Sequence, residues 1–128
     1  MVSAAILVKD GRIFTGVSFL HFTGGPCAES TAIGNIAGAG LPLTDIVLCV
    51  AIKRTRKDEQ NLPEKDDMEQ MTILNPCGRC RQQLLDLSPD AGVVVVDEEG
   101  KERIVSVLEL LPFAFRISQK GPERMVEG

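Results

Sequence analysis

The chain has 128 residues, a length that suits one domain, and a hydrophobic fraction of 44% that can fill its core. All five aromatic residues are Phe, so that core must be mostly aliphatic. Eighteen acidic residues against 14 basic ones leave a net charge of −4, a poor match for a phosphate backbone, so a small molecule is the expected partner rather than nucleic acid or a membrane.

The first segment, Ala4 to Lys9, is apolar and of strand length. Asp10-Gly11 follows, a strong short hairpin signal, and Arg12 to Phe19 reads as the returning strand. His21 to Pro26 is a loop punctuated by Gly and Pro. From Cys27 to Ala39 the apolar positions 28, 32, 33, 36 and 37 recur at helical spacing, and Gly40 and Pro42 end the helix. Asp45 to Lys53 holds the longest apolar run, Ile46 to Ile52, which predicts a strand buried on both faces. That run is far short of the ~20 residues needed to cross a bilayer. Met1 to Val8 lacks a basic leader and a long apolar segment, so no signal peptide is expected there.

Arg54 to Asn75 is charged and poor in apolar residues, and Met68 to Leu74 suits either a strand continuation or a short helical turn. Pro76 opens a helix over Cys77 to Leu87, which Ser88-Pro89 stops. Gly92 to Asp97 carries four valines and reads as a central strand. Glu98-Glu99-Gly100 is too short for a parallel return, so Lys101 to Val105 must pair antiparallel with it. Ser106-x-x-Glu109 is a capping box for a last helix, Val107 to Leu111, ended by Pro112. The order β-β-α-β-α-β-β-α predicts an α/β sandwich with a mixed sheet. Residues 1–117 form the single domain, and the polar tail 118–128 is expected to be mobile.

Two groups carry the chemistry: Cys27-Ala28-Glu29 and Pro76-Cys77-Gly78-Arg79-Cys80. Each stands where a loop becomes a helix, and a helix N-terminus favours the thiolate, the form that binds metal. Cys77 and Cys80 are three apart and share a helix face. Two such helix starts side by side would present three thiolates to one ion. Three thiolates leave a tetrahedral zinc one open position, the hallmark of a catalytic rather than a structural site. Cys49, inside the apolar strand, and His21, in the loop, are the rival fourth ligands. In such a setting Glu29 suits a proton carrier, whereas an isolated Glu near a helix start merely stabilises its first turn. First ligand, x, Glu, then P-C-x-x-C is a zinc-deaminase signature, Cys₃ variants included. The four cysteines are not spaced as a secreted disulfide framework, which points to a reducing, cytoplasmic setting.

The chain resembles the cytidine deaminase superfamily, and within it the blasticidin-S deaminase branch. Asp10 to Gly16, His21 to Glu29, Pro76 to Gln82 and Glu109 to Pro112 carry the resemblance. It implies a three-layer sandwich around a mixed five-stranded sheet whose last two strands are antiparallel. It also implies one Zn²⁺ per chain on Cys27, Cys77 and Cys80, with Glu29 catalytic. The expected reaction is hydrolytic removal of a 4-amino group from a cytosine-type nucleoside, such as cytidine, deoxycytidine or blasticidin S. Another aminoheterocycle, or a non-catalytic zinc-stabilised binding module, are the alternatives. The backbone at Ala28 would position the ring, and Phe115 matches an aromatic that reaches a neighbour's pocket in a homotetramer (or homodimer), with core packing its other reading. Arg79 and Arg81 would offset the charge of three thiolates, or simply be solvated.

Three features depart from the family pattern. Ser18-Phe19-Leu20 stands where cytidine deaminases carry Asn-x-Glu to hold the ribose, so Ser18 inherits a substrate-facing position without the carboxylate. The chain opens at the first strand, where family members place a helix first. Lys57 to Gln70, within the stretch 54–75, is an insertion relative to the blasticidin-S branch.

Overall fold

A computed structural model describes residues 1–54 and 71–116. The insertion 57–70 and the tail 118–128 lie outside the described residues. Strand β1 (Val2–Val8) turns back at Asp10-Gly11 into β2 (Ile13–Val17). Gly11 takes φ 92°, a conformation open to glycine, while Asp10 Oδ1 accepts from Arg12 N at 2.9 Å. Helix α1 (Ala28–Gly38) follows, then a 3-10 turn (Leu43–Asp45) into β3 (Ile46–Arg54). Next come β4 (Met71–Leu74), α2 (Gly78–Leu87), the hairpin of β5 (Gly92–Val96) and β6 (Glu102–Ser106), and the short α3 (Val107–Leu110). Ser106 caps α3, its hydroxyl accepting from Glu109 N at 3.3 Å.

The sheet runs β2-β1-β3-β5-β6. Among the described residues only the β3–β5 pair is parallel, and α2 lies in the connection that a parallel pair requires. The sheet has six strands rather than five. Met71 to Leu74 settles as a strand, antiparallel to Ala51–Arg54 of β3, beyond the point where β5 pairs with Leu48 and Cys49. Asn75 joins the two neighbours: its side-chain oxygen accepts from Val96 N at 2.8 Å and its amide nitrogen donates to Val96 O at 3.0 Å.

Alternate residues of the strands build the core. Ala4, Ile6 and Val8 of β1, Cys49 and Ala51 of β3, and Val93 and Val95 of β5 are buried in one cluster with Ala28, Ala32, Ile33 and Ile36 of α1 and Leu84 and Leu85 of α2. The intervening positions of β3 differ: Leu48, Val50 and Ile52 are half-buried. β3 is therefore fully buried on one face only, because among the described residues the helices supply their layer to that face.

Helix α1 lies directly on β2. A Cβ at Gly16 would stand 2.6 Å from the Ala28 carbonyl and collide with the backbone of Ala32. Gly16→Ala is expected to cost about 1–3 kcal/mol by overpacking. Gly34 of α1 faces open space, so Gly34→Ala should instead stabilise by about 0.5–1 kcal/mol. Urea midpoints of the two variants against the parent check both signs.

Candidate active site

Two helix starts meet at one end of the core. Cys27 is the N-cap of α1 and Cys77 the N-cap of α2, both with extended backbone. Neither side chain caps its helix. Their carbonyls take the first helical bonds, from Thr31 N at 3.1 Å and Arg81 N at 3.0 Å, which leaves the sulfurs free to converge. Cys80, one turn into α2, is fully buried. The three sulfurs lie within 4.8 Å of one another, with 3.6 Å between Cys27 and Cys77. Glu29, buried in the first turn of α1, brings Oε2 to within 3.4 Å of Cys80 Sγ, which donates to it. A hydrogen bond of 2.6 Å from Ser30 Oγ to Gln83 Oε1 links the helices just behind.

The thiols do not share one electrostatic state. Burial acts to raise Cys77, but the backbone N–H groups of Cys80 and Arg79 and the neighbouring thiols outweigh it, so its pKa is lowered. Burial raises Cys27, and its bond to Cys77 adds to that. Burial and the Glu29 charge push Cys80 far up. The helix-start effect expected for all three thus prevails at Cys77 alone, because position along the helix says nothing of the apolar cover and the carboxylate. The donor set fits zinc: sulfurs about 2.3 Å from a tetrahedral ion stand about 3.8 Å apart, close to the Cys27–Cys77 separation.

Neither rival ligand joins the group. Cys49 lies in β3 beneath the site, and His21 is exposed. His21 Nδ1 accepts from Thr23 N at 3.1 Å and meets the Thr23 hydroxyl. Burial, reinforced by the Glu29 charge, pushes the Cys49 thiol up to about 12. An unfolded thiol loses its proton near 9.0, so above that pH the unfolded chain binds fewer protons than the folded one. The stability that Cys49 contributes is thus complete below 9.0 and is lost as pH rises towards about 12. Zinc-loaded parent protein should lose up to about 1.4 kcal/mol per pH unit across this window, and Cys49→Ala should remove that slope. Urea titrations on either side of the window measure it.

Above the sulfurs opens a cavity of about 260 Å³, with Cys27, Ala28, Glu29 and Cys77 among its walls. Ala28 is the first residue of α1, where an N–H has no partner within the helix. Ser18 also lines it, but its Oγ accepts from Val2 N at 2.9 Å. Asn75, which the sequence did not single out, stands at the wall and holds the β4–α2 turn to β5. A wider groove of about 440 Å³, lined by Lys9, Thr44, Asp86, Ser88 and Asp90, includes none of the three cysteines and not Glu29.

Arg81 is neither a surface charge nor a partner of the sulfurs. It donates from Nε to Pro76 O at 2.8 Å and from Nη1 to Leu110 O at 3.0 Å, tying the entry of α2 to the end of α3. Arg79 is exposed in the first turn of α2. Phe115 is 70% exposed and does not line the cavity of its own chain, so core packing does not account for it.

A scan against protein-family models finds no match. Two characterised proteins nonetheless align along most of the chain. Blasticidin-S deaminase of Bacillus cereus is 30% identical over 116 residues, which covers 89% of this chain and 76% of that protein. Cytidine deaminase of Halalkalibacterium halodurans is 31% identical over 117 residues, with the same coverage. Among solved structures, the cytidine deaminase of Burkholderia pseudomallei superposes with a TM-score of 0.66 at 28% identity, covering 89% of this chain and 80% of that one. The cytidine deaminase of Bacillus anthracis superposes with a TM-score of 0.70, covering 98% and 81%, and at 20% identity it speaks for the fold. With sequence and architecture agreeing along the same span, the chain belongs to the cytidine deaminase superfamily.

Proposed function

We propose that the chain is a zinc-dependent hydrolase that removes the 4-amino group of a cytosine-type nucleoside. One observation carries this reading: three sulfurs within 4.8 Å of one another, with a buried carboxylate against one of them, at the floor of a cavity. Cys27, Cys77 and Cys80 would hold one zinc, which when bound lowers the pKa of water towards ~7. Glu29 takes a proton from the attacking water and returns it to the departing amine. The first N–H groups of α1, at Ala28, orient the ring. In sum, water is consumed, the C4–N bond breaks, a C4 carbonyl forms and ammonia leaves.

The reading extends to setting and assembly. Reduced thiols at the site suit a cytoplasmic enzyme, and no described helix is long and apolar enough to cross a membrane. A homotetramer or homodimer would give Phe115, exposed here, a neighbouring pocket to reach. The domain is taken as residues 1–117.

The test is ammonia release by zinc-loaded protein from cytidine, deoxycytidine and blasticidin S. Turnover of at least one is expected. Bound zinc with no turnover on these or a broader aminoheterocycle panel would favour a non-catalytic binding module and overturn the reading.

A further inference from the structure

Helices α1 and α2 bring their sulfurs to one point, yet each is fastened to a different part of the molecule. Helix α1 is tied to β2, where Asn35 Nδ2 donates to Thr15 O at 2.7 Å. Helix α2 is tied to the other end of the chain, through Arg81 to Leu110 O and through Gln82 Nε2 to Phe115 O at 3.0 Å. Both rest on the shared apolar core, but burial is non-directional and sets no register between them. Among the described residues, three side-chain hydrogen bonds join α1 and its N-cap to α2 and its N-cap. Two are made by thiols of the site itself, Cys27 with Cys77 and Cys80 with Glu29. A sulfur binds metal as the thiolate and then has no hydrogen to donate. The third bond, from Ser30 Oγ to Gln83 Oε1 at 2.6 Å, uses no sulfur, so it is the one that metal binding leaves in place.

Resting on the reading of Cys27, Cys77 and Cys80 as zinc ligands, we propose that Ser30 and Gln83 are positioning residues for the metal, their hydrogen bond setting the distance between the two helix starts before zinc arrives. Ser30 stands three residues beyond Cys27 and Gln83 three beyond Cys80, so the bond crosses one turn behind the sulfurs. Both side chains are half-buried, which strengthens the bond against competing water. A metal site works when its ligands are held to within about 0.5 Å of their places. Helix starts free to slide must be drawn together by the ion, and the cost of that ordering is subtracted from its affinity. The spacing also selects among ions, because geometry rather than raw affinity discriminates between metals that like thiolates.

Zinc affinity is read by competition with a chromophoric chelator, on the parent, Ser30→Ala, Gln83→Met and the double variant. Each single variant should bind zinc about tenfold more weakly, the lower end of the ~10–100-fold lost when groups that support metal ligands are removed. The double variant should be no weaker than the weaker single one, because the same bond is lost in all three. Cd²⁺, which takes longer bonds to sulfur, should lose less affinity than zinc, since a relaxed spacing suits the larger ion. Urea midpoints of the metal-free proteins report the bond's share in packing separately. Parental zinc affinity in both single variants, whatever their metal-free stability, overturns the proposal and leaves the zinc reading intact. Losses that add in the double variant overturn it too, since the residues then act apart, as does an equal loss for Zn²⁺ and Cd²⁺, the mark of a merely structural bond. A parent that takes up no zinc overturns both.

Discussion

Glu29→Gln is expected to lower turnover by about 10²–10⁴-fold while zinc remains at one per chain. The substitution is close to isosteric, and the buried site is filled as before. The amide oxygen can still accept from Cys80 Sγ, as the Glu29 carboxylate does at 3.4 Å. What is lost is the capacity to take a proton and give it back, so the loss should fall on kcat rather than on binding. Zinc content by atomic emission and steady-state ammonia release, measured on one preparation, separate the two effects. Turnover surviving at the parental level would remove Glu29 from the proton path. Loss of zinc together with activity would make it a metal-supporting residue instead.

Cys80→Ala should leave well under one zinc per chain and abolish the stabilisation that zinc gives the parent. At free zinc about a hundredfold above Kd, a ligand bound only by the folded state adds about 3 kcal/mol, or roughly 10 °C in midpoint for a domain of this size. The comparison that matters is the difference between zinc-loaded and chelated samples, in parent and variant. It should be large in the parent and near zero in Cys80→Ala. In the metal-free state Cys80 is a buried neutral thiol, its pKa raised by burial and by Glu29, so its removal alone should cost far less. The raised pKa values of Cys27 and Cys80 also give zinc binding a direction with pH. Binding must expel their protons, so affinity should fall as pH is lowered. Full zinc stoichiometry in Cys80→Ala would break the three-sulfur assignment.

The local signals of the chain were readable where short-range rules suffice. Asp10-Gly11 marked the β1–β2 hairpin, Glu98-Glu99-Gly100 the antiparallel β5–β6 turn, and Ser106-x-x-Glu109 the start of α3. Both helix starts that carry the sulfurs fell within a residue of their places, since Gly and Pro punctuate the loops before them. What escaped depends on partners distant in sequence. Met71 to Leu74 is too short to declare itself, and becomes a strand only by pairing with Ala51–Arg54 of β3. Arg81 reads as a charge until folding brings the carbonyls of Pro76 and Leu110 to its guanidinium. Asn75 carries no signal of its own until Val96 stands beside it. The thiol pKa values likewise follow from burial and from Glu29, which no position along a helix encodes.

Cys27 and Cys77 hold the two positions where a helix gains most from Ser, Thr, Asp or Asn, and neither cysteine caps its helix. Such a cap is worth about 0.5–2 kcal/mol, so two sites in this chain stand below their local optimum for as long as the sulfurs are kept for an ion. Selection for foldability alone would drift both positions towards oxygen side chains, and selection for chemistry must hold them against that drift. A library sorted for thermal resistance in the presence of a chelator should therefore enrich Ser or Asp at 27 and 77. The clones it returns would be sturdier and inert, so this lineage is poorly served by any stabilisation campaign that leaves zinc out of the buffer.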